Sequence, residues 1–266
     1  MSRVGALLGK EFAEFRNSPS VFFPVVFTSL VSLVMPVLFA VLVPQISGES
    51  LADTRDLLPP EEVWMPAEGA RLSREGAAQA WMFGQFLVLL LLTPVGGSMA
   101  IAAFSVIGEK QARTLEPLLA SPVTTWEFLA AKVLGSLLPA LALALVSFGV
   151  YVGLAAILAE PGVYLTLLGV RPLALVMIIG PLAGLTSLLL AVIVSSRVND
   201  PRTAQQVGVL VILPVIGLLV VQMTTRTLLT VPSILAIAAG LIAINGLLLG
   251  LAVRLFGRES ILTRWK

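Results

Sequence analysis

The chain has 266 residues, of which 58% are hydrophobic and 12% are charged, and its mean hydropathy is +1.00. A soluble domain carries about 25% charged residues, so this composition is typical of an integral membrane protein. The net charge is +2, and cytoplasmic basic residues explain it without a nucleic acid partner. The sequence contains neither cysteine nor histidine, which excludes disulfides, thiolate catalysts and metal sites built on these ligands.

Residues 1–20 predict an amphipathic helix that lies on the cytoplasmic surface of the membrane. Its apolar side chains cluster on one face at 100° per residue; they are Val4, Leu7, Leu8, Phe12 and Phe15. Ser18 and Pro19 are the residue types of a helix start. Residues 21–43 follow without a charge and are long enough to cross a hydrocarbon core of about 30 Å. We expect this first span to be retained rather than removed as a signal peptide.

Residues 44–79 form the largest polar segment, with seven acidic residues against three arginines. The spacing of the acids matches no calcium loop. We therefore favour a solvated extracellular segment over a cation site. Residues 80–107 form a second uncharged run that is long enough to span a membrane.

Four further apolar runs follow, at residues 128–158, 172–194, 207–222 and 232–253. Lys132 lies near one end of the third run, where we expect its ammonium group to reach the membrane interface. Residues 160–162 predict an external turn. Residues 207–221 would reach only about 22 Å as a helix, so either the helix includes residues 203–206 or residues 222–230 are partly re-entrant.

The distribution of basic residues predicts the orientation of the chain. Twelve lysines and arginines lie in the N-terminal segment, the central segment with Lys132, the loop at 195–206 and the tail at 254–266, against five on the opposite side. The positive-inside rule then places both termini in the cytoplasm. The sequence thus predicts an all-α integral membrane protein with six transmembrane helices and a cytoplasmic segment, residues 108–127, between the second and third spans.

This central segment has the pattern of a short amphipathic helix. One face is apolar, because three leucines follow the i, i+3, i+4 spacing; they are Leu115, Leu118 and Leu119. Another face carries Lys110, Arg113 and Glu116. Pro122 ends the helix, and Thr124 with Glu127 forms a capping box for the next one. The pattern fits either a coupling helix that contacts a partner outside the membrane or an amphipathic loop on the lipid headgroups.

Residues 109–123, EKQARTLEPLLASPV, resemble the most recognisable motif of type-2 ABC transporter permeases. That motif reads approximately Glu-Lys-Glu-Arg-Gly-Thr-Leu-Glu-x-Leu-Leu-x-Ser/Thr-Pro-Val. Gln111 stands where an acid is common, and Arg113 stands where glycine is common. The C-terminal residues 257–265, GRESILTRW, are similar to the tail of many of these permeases.

The resemblance implies an interfacial N-terminal helix, a cytoplasmic coupling helix and a dimer of two such subunits, which we expect to be a homodimer in the cell membrane. It also implies two separate ATP-binding subunits, which bind ATP and Mg in place of this chain. The residues expected at the contact with the ATP-binding subunit are Glu109, Lys110, Arg113, Thr114, Leu115, Glu116, Leu118 and Leu119.

The substrate route would then lie at the dimer interface. The candidate lining residues are the polar ones within or near the spans: Ser32, Gln85, Thr93, Ser98, Gln222 and Asn245. For each of them the alternative is a hydrogen bond within or between helices. The amide of Asn245 in particular requires a partner in the middle of the membrane.

The remaining chemistry of the sequence narrows the function classes. The Gly5–Lys10 stretch is one residue short of a Walker A loop and is followed by Glu11, so we expect no ATPase site in this chain. The spans lack the buried acids of proton-driven carriers and the motifs of intramembrane proteases. Together with these exclusions, the resemblance implies the membrane subunit of an ATP-driven exporter, without a cofactor of its own. The alternatives are a non-transporting scaffold or assembly subunit and a membrane enzyme that acts on headgroups through the external acids.

Overall fold

The computed structural model of the protein describes residues 19–53, 72–111, 125–198 and 200–255. Regular secondary structure in these ranges is helical, which confirms the all-α prediction for the described part of the chain. The α-helices are α1 (Pro19–Val37), α2 (Val43–Ser47), α3 (Arg74–Phe86), α4 (Leu92–Gln111), α5 (Thr125–Leu158), α6 (Val163–Leu167), α7 (Val170–Ala174), α8 (Gly180–Ser195), α9 (Pro201–Thr225) and α10 (Val231–Leu255). The predicted interfacial helix and the C-terminal tail lie almost entirely outside the described residues.

Short irregular turns join several of these helices end to end. A π-helical turn, Leu38–Leu42, connects α1 to α2, and another, Leu175–Ile179, connects α7 to α8. A 3₁₀ turn, Leu87–Leu91, connects α3 to α4. Each joined pair therefore forms one long helix with a local change of pitch.

Each of these irregular turns contains a backbone carbonyl that lies four residues before a proline. Proline has no N–H to donate to that carbonyl, and its ring collides with it. A local widening or tightening of the helix relieves the collision. The prolines and the carbonyl-bearing residues are Pro44 with Ala40, Pro94 with Leu90, and Pro181 with Met177.

Five helical stretches among the described residues are long and apolar enough to cross a membrane. They are Val25–Ser47, Arg74–Gln111, Leu129–Leu158, Val170–Ser195 and Val231–Leu255. The fifth predicted run falls within α9, whose described apolar part, Leu210–Thr225, is shorter. Helix α9 as a whole has 25 residues, or about 37 Å at 1.5 Å per residue. The helix includes residues 203–206, which is the first of the two alternatives that the short apolar run left open.

The second of these stretches is the centre of the bundle. Within Arg74–Gln111, 89% of the most apolar window is buried, against 28% for Leu129–Leu158 and 17% for Val231–Leu255. Helix α4 packs against α1, α5, α8 and α9. A displacement of α4 would therefore be transmitted directly to four neighbouring helices.

Small residues allow α4 and α8 to approach closely. A Cβ atom on Gly184 would lie 3.1 Å from the carbonyl oxygen of Pro94. The Oγ atom of Ser98 lies 2.8 Å from the Gly184 oxygen, and the Oγ atom of Ser187 lies 2.8 Å from the oxygen of Val95. Membrane helices commonly associate in this manner, with small residues that let the backbones approach and hydroxyl groups that form hydrogen bonds between the helices.

The turn predicted at residues 160–162 is present between α5 and α6. Gly162 has a φ of +95°, a conformation that only glycine adopts without steric cost. At the other connection, Arg226 has a φ of +50° and begins the link from α9 to α10.

Candidate functional site

In the sequence, the candidate coupling segment lies between the most buried of the described spans, Arg74–Gln111, and helix α5. Helix α4 ends at Gln111, and α5 begins at Thr125. Six of the residues expected to contact an ATP-binding subunit lie outside the described residues; they are Arg113, Thr114, Leu115, Glu116, Leu118 and Leu119. The structure therefore describes the two helix ends on either side of this segment, the end of α4 at Gln111 and the start of α5 at Thr125. We call these two helix ends the stems.

Glu109, on the last turn of α4, faces the inside of the bundle. Its side chain is 5% exposed, and its Oε1 atom lies 3.1 Å from Nζ of Lys132 on α5. The ammonium group of Lys132 also donates a hydrogen bond to the hydroxyl of Ser105, one turn before Glu109. What the structure shows for Glu109 is thus an internal ion pair, whereas the predicted contact with a partner subunit stays a prediction.

The expectation that Lys132 reaches the membrane interface is wrong. The residue is only 1% exposed, because its ammonium group meets the carboxylate of Glu109 within the bundle. A buried cation is costly unless it is paired, and here the partner comes from the neighbouring stem.

Lys110, the next residue, points to a different neighbour. Its Nζ atom donates a hydrogen bond of 3.2 Å to the carbonyl oxygen of Val198, in the turn between α8 and α9. Two consecutive residues of α4 therefore contact α5 on one side and the loop after α8 on the other.

The six candidate lining residues are all buried within the chain. Ser32 donates to the carbonyl of Ser29, and the hydroxyl of Thr93 is 3.0 Å from that of Ser29. Ser98 bonds within α4 and across to α8. These hydrogen bonds lie within one helix or join two helices, which is the alternative that the sequence left open.

Asn245 has the hydrogen-bond partners that its position in the membrane requires. Its Nδ2 atom donates to the carbonyl of Leu182 at 3.0 Å, and its Oδ1 atom accepts from the hydroxyl of Thr186 at 2.9 Å. Asn245 thus joins α10 to α8. The pair of contacts accounts for a polar amide on an otherwise apolar helix.

Gln85 and Gln222 hold the connection between α9 and α10 against the bundle. The Nε2 atom of Gln85 lies 3.4 Å from the oxygen of Gln222 and 3.3 Å from that of Thr227. The Oε1 atom of Gln222 accepts from the amide of Leu229 at 3.1 Å. A cavity of about 10 Å³ lies beside them, between Gln222 and Arg171, with space for one water molecule.

An open groove of about 590 Å³ lies where α3 begins and α5 ends, and three carboxylates line it: Glu49, Glu75 and Glu160. Glu75 accepts hydrogen bonds from the hydroxyl of Ser50 and the amide of Ala52. Glu160 accepts one from Ser73. Two of the three carboxylates therefore bind their own chain, and no group of three possible metal ligands occurs among the residues that the structure describes.

Comparison with known proteins supports a transport role for this arrangement of helices and stems. A family model described as an ABC-2 family transporter protein matches residues 66–256, which include both stems and the segment between them. A search of curated proteins finds no match to this chain. Since the family model covers more than half of the sequence, the chain belongs to the ABC-2 family of transporter proteins.

Proposed function

We propose that this chain is the membrane-spanning subunit of an ATP-driven exporter, which forms the translocation pathway as a dimer and is coupled to separate ATP-binding subunits. The observation that carries the proposal is the place of residues 112–124 in the chain, where they connect the most buried of the described spans, Arg74–Gln111, to the 34-residue helix α5. A force applied to this segment acts on α4 and α5 together. The sequence has no Walker A loop, so the ATP and Mg would be bound by the partner.

The proposal includes six spans with both termini in the cytoplasm. Helix α9, at about 37 Å, is long enough to serve as the span that its apolar part alone does not provide. An even number of spans places both chain ends on one side, and the twelve basic residues assigned to that side favour the cytoplasm of the cell.

The proposed route lies between the two protomers. In this structure the six candidate lining residues are buried within one chain, so they would reach the route only after the helices around them have separated. Export rather than import rests on the family resemblance, since the sequence offers no evident dock for a substrate-binding protein.

The proposal is tested by purifying the chain with the ATP-binding subunit encoded beside its gene and measuring ATP turnover in lipid. Leu118→Asp places a charge on the predicted apolar face of the coupling segment. Ala120→Asp is the matched control, because two residues along a helix turn the side chain by about 160° to the other face.

We expect the wild-type chain and the Ala120→Asp variant to bind the ATP-binding subunit and to change its turnover, and Leu118→Asp to do neither. If wild type fails to bind, the scaffold alternative is favoured over transport. If Leu118→Asp behaves like wild type, the coupling-helix assignment is wrong, and the segment lies on the headgroups instead.

A further inference from the structure

The two stems of the coupling segment are joined by a buried ion pair. Glu109 is on the last turn of α4, and Lys132 is on the second turn of α5, with 3.1 Å between Oε1 and Nζ. Both side chains are almost completely withdrawn from solvent. In the sequence, residues 112–124 follow one member of the pair and precede the other.

An ion pair fixes the relative position of two helices more narrowly than an apolar contact does. Apolar side chains tolerate sliding and repacking, whereas a charged hydrogen bond requires donor and acceptor within a few tenths of an ångström. If α4 and α5 slid apart, both charges would lose their partner in a site that water does not reach. The contact of Lys132 with Ser105 places the ammonium group between two successive turns of α4, which defines the register further.

The same end of α4 is joined to the loop after α8 through Lys110 and Val198. Helix α4 then continues into the bundle, where Ser98 contacts Gly184 of α8. A path of helix and hydrogen bonds thus leads from the stems to the close contact between α4 and α8.

We propose that Glu109 and Lys132 are positioning residues that hold the two stems as one unit, so that the displacement of residues 112–124 by ATP turnover reaches α4 and α5 together. The inference rests on the proposed function, because it assumes that the ATP-binding subunit contacts this segment. It assigns Glu109 to force transmission inside the permease rather than to the contact surface.

The experiment compares three variants in the complex with the ATP-binding subunit, reconstituted in lipid. Glu109→Gln removes one charge, and the exchange of Glu109→Lys with Lys132→Glu restores a pair of opposite charges. Glu127→Gln is the matched control, because it neutralises a carboxylate of the stem that carries Lys132, and glutamine retains the capping function at this position.

We expect Glu109→Gln to co-purify with the ATP-binding subunit as wild type does, but to lose the change in ATP turnover that the permease confers. The exchanged pair should recover it, and Glu127→Gln should match wild type. The inference is overturned if Glu109→Gln retains normal coupling, or if Glu109→Gln is uncoupled and the exchanged pair, although folded, is equally uncoupled. Failure of the wild-type chain to bind the ATP-binding subunit would instead refute the proposed function.

A distance measurement tests the pair in a chain that retains Glu109 and Lys132. It therefore does not depend on whether the Glu109→Gln variant folds. The natural chain has no cysteine, so spin labels at Gln111→Cys and Trp126→Cys report the separation of the two stems. With the pair intact, we expect one narrow distance distribution that is the same for the chain alone, for the nucleotide-free complex and for the vanadate-trapped complex. A separation that changes with nucleotide, or a broad distribution in the chain alone, would overturn the inference.

Discussion

Replacing Gly184 with alanine tests the close contact between α4 and α8. The added Cβ would lie 3.1 Å from the carbonyl oxygen of Pro94 and 3.2 Å from Cδ1 of Leu137. The oxygen belongs to a backbone that cannot rotate away, so α4 must shift by a few tenths of an ångström. Gly180→Ala is the matched control on the same helix, because its Cβ would meet only ordinary contacts, at 3.8 Å from Pro94 and 3.9 Å from Leu91.

The two substitutions share one favourable effect and differ in one unfavourable effect. Alanine is favoured over glycine within a helix by about 1 kcal/mol, and this gain applies to both positions. Overpacking costs about 1–3 kcal/mol, and it applies to Gly184 alone. We therefore expect Gly184→Ala to be less stable than Gly180→Ala by about 1–3 kcal/mol.

The assay is reversible unfolding of the detergent-solubilised chain in increasing mole fractions of SDS, followed by circular dichroism. Using both variants removes the uncertainty of the helix propensity, which cancels in the difference. If Gly184→Ala is as stable as Gly180→Ala, then α4 and α8 are not packed as closely as the structure places them, and the proposed path from the stems to α8 loses its last contact.

Two further substitutions test buried hydrogen bonds by the same assay. Tyr151→Phe removes the hydrogen bond that the phenol donates to the carbonyl of Phe83 at 2.6 Å, and we expect a loss of about 1 kcal/mol. Tyr164→Phe should change little, because Tyr164 is half-buried and its hydroxyl forms no hydrogen bond with the residues that the structure describes. Asn245→Ala removes two contacts between α10 and α8, each worth about 0.6 kcal/mol in a membrane. Gly246→Ala, which faces open space, is its control, and a loss equal to that of Asn245→Ala would contradict this account.

The sequence predicted which segments are membrane helices better than it predicted the residues at which each helix begins and ends. Long uncharged runs identify membrane helices because only a helix satisfies its own backbone in lipid. Hydropathy does not identify helix ends, however, because polar residues at the membrane surface are equally compatible with helix and with loop. Helix α9 shows this, since Thr203 and Gln206 at one end and Gln222 at the other are helical although they interrupt the apolar pattern.

The position of Glu109 shows a second limit of prediction from the sequence, which concerns the direction that a side chain faces. Its resemblance to a family motif placed it on the partner surface together with its neighbours, and the structure places it inside. The sequence contains a signal for this, because Ala102 and Val106 precede it at the spacing of one helix face and both are fully buried. Lys132 likewise shares a face with Leu129 and Ser136, which are buried too.

That these two charged residues face each other was not predictable from the sequence. The pairing depends on the rotation of α4 and α5 about their axes and on their relative height. Both are set by packing in the whole bundle, including the close contact at Gly184, rather than by any local pattern.

The most direct test of the central claim is a cross-link from residues 112–124 to the ATP-binding subunit. Because the natural chain has no cysteine, Leu118→Cys can carry a single thiol-attached photoreactive group, with Ala120→Cys as the control on the opposite predicted face. The account predicts that the group at Leu118 captures the ATP-binding subunit and that the group at Ala120 does so far less. Capture of lipid alone at Leu118, in a complex that contains the ATP-binding subunit, would contradict it.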